Sequence, residues 1–139
     1  MKILMVNKFL YPRGGCETYM LKLSEELKRQ GHEIEFFGMY DEKNTVGNSE
    51  NLYTTNMDFH STGIARFFYL FKIIYSFEAS KKIGKVLDSF KPDIILHSMD
   101  GYIHLNRIIQ YAIKRTHAAA VGYIWDDNFT YKQFDKIGY

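Results

Sequence analysis

The run KILMVN (residues 2–7), KFLYPRGG (8–15), CETYMLKLSEELKRQGH (16–32) and EIEFFGM (33–39) decides the fold. Its first piece is short and almost wholly apolar, which is how a strand buried on both faces reads. Phe9-Leu10-Tyr11-Pro12-Arg13-Gly14-Gly15 follows as a turn-forming loop. From Glu17 the apolar period becomes helical. Tyr19, Met20, Leu23 and Leu27 are expected on one face, with Lys22, Glu25, Glu26 and Arg29 opposite. Gly31 is a natural helix stop, and Glu33–Met39 reads as a second strand. Strand, glycine loop, helix and strand within about 40 residues form a parallel βαβ unit, with a right-handed crossover expected.

Downstream the alternation continues. Tyr40–Asn56 is polar and reads as a loop with one short strand around Leu52–Thr54. Ser61–Phe90 is largely helical, with an apolar stripe of Ile64, Phe67, Phe68, Phe71 and Ile74 continued by Ile83, Val86 and Leu87. A break is expected within Ser76–Lys82, since one unbroken helix of that length exceeds the usual range. Pro92 ends the segment and Asp93–His97 reads as a central strand. Ile103–Arg115 is an amphipathic helix, Ala118–Trp125 a further buried strand, and Phe129–Ile137 a last short helix. The pattern predicts one α/β domain over residues 1–139, doubly wound and mostly parallel, with helices on both faces. Ligands of such sheets sit outside the carboxyl ends of the strands, here the loops after Asn7, Met39, His97 and Trp125.

Composition removes several classes of function. Eighteen Lys and Arg against sixteen Asp and Glu give +2, so no basic field marks a nucleic-acid binder. The single cysteine, Cys16, forbids an internal disulfide and any multi-cysteine zinc site, which fits a reducing compartment. The N-terminal apolar run is too short for a signal-peptide core. The most apolar segment, Ile64–Phe77, is interrupted by Arg66 and Lys72, so no spanning helix is expected. A soluble cytoplasmic protein is the default expectation. Aromatic residues make up 17% of the chain, 11 Tyr, 11 Phe and 1 Trp, which implies either a ring-rich core or rings that await a ligand or partner.

Gly14 and Gly15 stand between the first strand and the first helix. Glycines there allow close backbone approach, and the free N–H groups of a first helical turn attract an anion such as a phosphate or diphosphate. The plainer alternative is that they only make the turn. The dinucleotide pattern G-x-G-x-x-G and the P-loop pattern are both absent, although Asp41 lies where a ribose would be held. Glu17 can stabilise the positive helix end, and Arg13 can pair with phosphate or with Glu17. Cys16 has no nucleophile motif around it and reads as structural. His97, Asp100 and His104 match no metal motif, so no metal is expected; His97 at a strand tip can still bond a ligand hydroxyl. Trp125-Asp126-Asp127-Asn128 joins two carboxylates, an amide and a large ring. Carboxylates accept from sugar hydroxyls and a ring covers the apolar sugar face; an Asx-type turn capping the next helix is the equal alternative.

Pro12-Arg13-Gly14-Gly15-Cys16-Glu17, then Leu27-x3-Gly31-His32-Glu33-Ile34, then Lys91-Pro92-Asp93-Ile94-Ile95-Leu96-His97 together resemble the N-terminal, Rossmann-like domain of a family-4, retaining GT-B glycosyltransferase. The resemblance runs to about Asn128. It implies an acceptor-side domain, with a nucleotide-sugar donor and its E-x7-E element on a C-terminal domain. It places Gly14 and Gly15, with Arg13 and Glu17, near the donor diphosphate and the acceptor in an interdomain cleft. His97, Trp125 and Asp127 are further candidate binding residues. Many members carry His-Asp where this chain reads Trp125-Asp126, so only Asp126 carries over as a catalytic candidate. The implied transfer uses no metal. The implied partners are a saccharide or lipid-linked acceptor and a donor domain or separate partner chain. Residues 1–139 by themselves are expected to be a truncated, inactive half.

Two other readings compete. One is a non-catalytic α/β binding or interaction module that kept the fold and lost the chemistry. The other is a nucleotide-dependent oxidoreductase domain, disfavoured by the missing third glycine. The Ile64–Phe77 stripe, with Arg66, Lys72, Lys81 and Lys82 nearby, is expected to be a core helix, with peripheral contact at the inner membrane face as the alternative. Phe9, Tyr11, Tyr40, Trp125 and Phe129 fall at strand ends; without a second domain, rings exposed there favour self-association.

Overall fold

The computed structural model describes residues 1–55, 77–98, 114–116 and 118–123. Its elements are β1 (Lys2–Val6), α1 (Gly15–Arg29), β2 (Glu33–Phe37), α2 (Phe77–Phe90), β3 (Ile94–Ser98) and β4 (Ala119–Tyr123). The four strands form one sheet in the order β2-β1-β3-β4, and every pairing is parallel. Lys2 faces Glu33 and Ile3 faces Ile94 in the two registers of β1. This is the doubly wound α/β arrangement the pattern predicts.

Both faces of the sheet are covered, and β1 shows why its sequence has no polar alternation. Leu4 and Val6 point into one core with Phe37, Ile95 and the α2 residues Ala79, Ile83, Val86 and Leu87. Ile3 and Met5 point into the other with Met20, Phe36 and Leu10, flanked by Leu23 and Leu27 of α1. Successive side chains of a strand alternate sides, so a strand with a helix on each face needs apolar residues throughout.

Helix α1 begins two residues before the expected Glu17. Gly14 is its N-cap and supplies no side-chain cap; instead the Thr18 N–H and Oγ1 both donate to the Gly14 carbonyl, at 3.1 and 2.7 Å. Glu17 in the first turn and Lys28 and Arg29 in the last complement the helix dipole. The exit is a Schellman closure. The Gly31 N–H donates to the Lys28 carbonyl and the His32 N–H to that of Leu27, with Gly31 at φ 87°. The inward face departs from expectation at Tyr19, which is 45% exposed, whereas Cys16, Glu17, Met20 and Ser24 are buried. At about 100° per residue, Tyr19 stands about 60° from Cys16 but about 100° from Met20 and about 140° from Ser24, on the far side of Cys16 from the centre of the buried face.

The ends of the sheet are built differently. At the amino end the Asp93 N–H donates to the Lys2 carbonyl at 2.8 Å, while the Lys2 N–H donates to Asp93 Oδ2 at 2.7 Å. The Glu33 N–H donates to the Met1 carbonyl at 2.9 Å. Lys91, just before this clamp, is in the left-handed region at φ 51°. At the carboxyl end Gly38 lets β2 close on β1, since a Cβ there would stand 2.3 Å from the Asn7 carbonyl oxygen. The outer edge of β2 is covered by the following loop. The Phe36 N–H donates to the Gly47 carbonyl, and Asn48 Nδ2 donates to the carbonyls of Phe36 and Leu52. That meets the hydrogen-bonding groups an edge strand would otherwise present. The short strand expected near Leu52–Thr54 is a single parallel bridge between Met39 and Thr54.

The expected break near Ser76–Lys82 meets α2 starting at Phe77. Of the Ile103–Arg115 helix, Lys114–Thr116 are described and helical. The Ile64–Phe77 stripe lies outside the described residues save Phe77, and the Phe129–Ile137 helix lies wholly outside them.

Candidate functional site

Strand β1 has β2 on one side and β3 on the other, so the strand order reverses at β1. The crevice between the carboxyl ends of β1 and β3 is therefore where a ligand of this sheet belongs. Two buried polar side chains mark it. Asn7, directly after β1, is 1% exposed, and His97, opposite Val6 in the register, is 9% exposed. Asn7 Nδ2 donates to the Phe9 carbonyl at 3.0 Å and fixes the first turn of the loop above the crevice. In the sequence Asn7 stands out only as a strand end. Its one signal was a lone amide closing an apolar run.

That loop leads to Gly14, which is extended, at φ −148° and ψ −169°. Space, not dihedral strain, is what glycine provides there: a Cβ would lie 3.1 Å from Glu17 Oε2. Glu17 is 8% exposed and folds its carboxylate against Gly14, at the positive end of α1. Arg13 does not take up Glu17 as partner. Its guanidinium carbon stands 4.1 Å from the centre of the Phe9 ring, and the Lys8 ammonium lies 5.0 Å from the same ring. Phe9 packs edge-to-face on Tyr11 at 5.7 Å, and the Lys43 ammonium lies 5.9 Å from Tyr11. A hollow of about 410 Å³ opens beside the loop, lined by Pro12, Arg13, Gly14, Gly15, Thr18, Tyr19 and Lys22.

The structure thus places Gly14, Gly15, Arg13, Glu17 and His97 at the carboxyl end of the sheet, at two of the four strand ends expected to receive a ligand. A third, after β2, holds Tyr40, which is 55% exposed and packs edge-to-face on Tyr53 at 6.1 Å. Trp125, Asp126, Asp127, Asp100 and His104 lie outside the described residues. Cys16 is buried. The cation cluster around Phe9 and Tyr11, and Lys43 in it, was missed in the sequence, because Lys43 is distant in the chain and a fold is needed to bring it in.

The chemistry available at this end is that of an anion site with rings at its rim: backbone N–H groups at a helix start, cations, and two buried polar side chains. No curated protein matches the chain. The sequence profile of Glycosyltransferase Family 4 matches residues 13–124, from Arg13 at the glycine loop to the residue after β4. The match spans well over half of the sequence, and the chain belongs to that family.

Proposed function

We propose that this domain is the acceptor-side half of a retaining GT-B glycosyltransferase, which transfers a sugar from a nucleotide-sugar to a saccharide or lipid-linked acceptor. The observation that carries this reading is the glycine loop at the start of α1, beside the strand-order reversal, in a chain that matches Glycosyltransferase Family 4. Gly14 and Gly15 allow a donor diphosphate to approach the backbone, and the N–H groups of the first turn of α1 with Arg13 stabilise the charge that develops on it. Glu17 holds the loop from behind, and His97 and Trp125–Asp127 meet acceptor hydroxyls. Asp126 is the catalytic candidate, and no metal takes part. The donor is held chiefly by a second domain or partner chain, so residues 1–139 alone bind ligand weakly and do not turn over. The setting is the cytoplasm or the inner membrane face; among the described residues no helix is long and apolar enough to cross a membrane.

The test is a thermal-shift screen of nucleotide-sugars and oligosaccharides on the 139-residue protein, repeated with Gly15→Val and Asp126→Ala. Ligand shifts lost in Gly15→Val, for the nucleotide-sugar, and in Asp126→Ala, for the acceptor, support the reading. Shifts that survive both changes overturn the site, and sugar transfer by the chain alone overturns its inactivity.

A further inference from the structure

In the proposed function Glu17 holds the glycine loop. We infer that its carboxylate is also an internal stand-in for the ligand's own anion. In the free domain it fills the place at the start of α1 that the donor diphosphate takes, and the diphosphate enters by displacing it. This rests on the glycosyltransferase reading and adds a threshold to it.

Three observations carry it. The first is position. Gly14 leaves open the space where any other residue has its Cβ, and such space is what lets a phosphate reach the backbone. Glu17 Oε2 stands 3.1 Å from that point, so the room made by the glycine is already filled by an acidic oxygen of the same chain. The Thr18 N–H to the Gly14 carbonyl is the first backbone bond of α1. The N–H groups ahead of it are those a helix leaves without an intrahelical carbonyl, and the carboxylate rests at that end.

The second is the absence of another partner for the charge. Glu17 is 8% exposed, yet among the described residues its carboxylate makes no hydrogen bond and no ion pair. Glu26, Glu33, Glu78 and Asp88 each meet a basic side chain, and all four are far more exposed. Burying a carboxylate without a partner is costly, and what offsets the cost here is the positive end of α1. The field that keeps Glu17 in place is therefore the field a phosphate seeks.

The third is ease of release. Arg13, the nearest basic residue in the sequence, lies on the Phe9 ring and does not grip Glu17. No bond has to break for the carboxylate to leave, and rotation about the side chain's own single bonds turns it to solvent without moving the helix. Two like charges cannot share the place. At about 4 Å their repulsion exceeds thermal energy several-fold, even at an effective dielectric constant of about 20. The carboxylate leaves when the diphosphate arrives.

The test is calorimetric titration of the full chain with inorganic pyrophosphate at low ionic strength, with amide NMR spectra to locate the bound anion. Glu17→Gln keeps the shape and removes the charge, and is expected to bind pyrophosphate about tenfold more tightly than wild type. Glu17→Ala gains as well, which separates loss of charge from a new bond made by the glutamine amide. Both variants melt slightly lower than wild type, because the helix end loses its acidic partner. Tighter binding by a less stable variant is not what a holding role alone produces, since a loosened loop binds more weakly. In the spectra of Glu17→Gln, pyrophosphate shifts the Gly14 and Gly15 amide signals. The inference is overturned if Glu17→Gln or a folded Glu17→Ala binds no more tightly than wild type, or if the gain comes without shifts at Gly14 and Gly15. The glycosyltransferase reading is judged separately, by nucleotide-sugar shifts in Gly15→Val with Glu17 intact. A gain at Glu17 while those shifts survive Gly15→Val counts for the internal anion and against the glycosyltransferase site; no gain while they are lost counts the other way.

Discussion

The two ends of the sheet divide its work. At the amino end, β1 and β3 are locked by the reciprocal bonds between Lys2 and Asp93, and β1 and β2 by the Glu33–Met1 bond and the Lys2–Glu33 ion pair at 3.7 Å. The Lys2 ammonium there is matched by Glu33. At the carboxyl end the chain leaves each strand into a loop, and that end has exposed cations and rings, two buried polar side chains and glycines. The amino end closes on itself, whereas the carboxyl end carries the glycine loop and the exposed cations at which a ligand of such a sheet is received.

That contrast can be broken first at Gly38. It lies at the functional end yet its role is packing, because any Cβ strikes the Asn7 carbonyl at 2.3 Å and Leu10 at about 3 Å. Gly38→Ala is expected to destabilise by about 3 kcal/mol, read as a lower urea midpoint at unchanged slope. A cost below about 1 kcal/mol would mean that the close approach of β2 to β1 relaxes easily.

The next effect is at the opposite end. Asp93→Ala removes the carboxylate that accepts the Lys2 N–H and is expected to cost about 1–2 kcal/mol. Nucleotide-sugar binding should not change, since the change lies at the opposite end of the sheet from the glycine loop. If ligand affinity falls with stability, the two ends are coupled and the division fails. Lys91→Gly sharpens the comparison with a gain. Its left-handed φ of 51° suits glycine, so melting should shift upward by the equivalent of about 0.5–1 kcal/mol.

The smallest effect is pH-dependent. Arg115 grips Asp88 with two bonds, Nε at 3.0 Å and Nη2 at 2.6 Å, and this hydrogen bonding holds the Asp88 carboxyl below the usual carboxylate range. A depressed carboxylate contributes stability above its unfolded-state value, and that contribution is lost as pH falls through the lower, folded value. Asp88→Asn should therefore flatten the acid limb of a stability profile slightly and change nothing near neutrality except a small, salt-screened loss. Differential melts from pH 2 to pH 7 at low and high salt check this.

Much of the fold was legible because its signals are local. The unbroken apolar run of β1, the Gly31 stop and the helical period of α1 each follow from neighbours within a few residues. The glycine loop was legible for the same reason. What could not be read depends on residues far apart in the chain. Glu35 on β2 bonds the Ser49 N–H, Asp93 reaches Lys2, and Lys43 joins Tyr11. Tyr19 was assigned to the inner face by its spacing to Leu23, but it sits at the rim of the buried stripe, whose centre lies toward Met20 and Ser24. Arg13 went to a ring rather than to Glu17, because Glu17 is turned back onto Gly14.

The double pairing of β1 also bears on how the chain assembles as it leaves the ribosome. Lys2 meets Glu33, but Ile3 must wait for Ile94. Closing the longer loop costs about 1 kcal/mol more in chain entropy. The first 39 residues can therefore pair while the rest is still being synthesised, leaving one flank of β1 bare and sticky until β3 emerges. Slow synthesis through residues 40–93 is then the interval in which a nascent chain of this design most needs a chaperone.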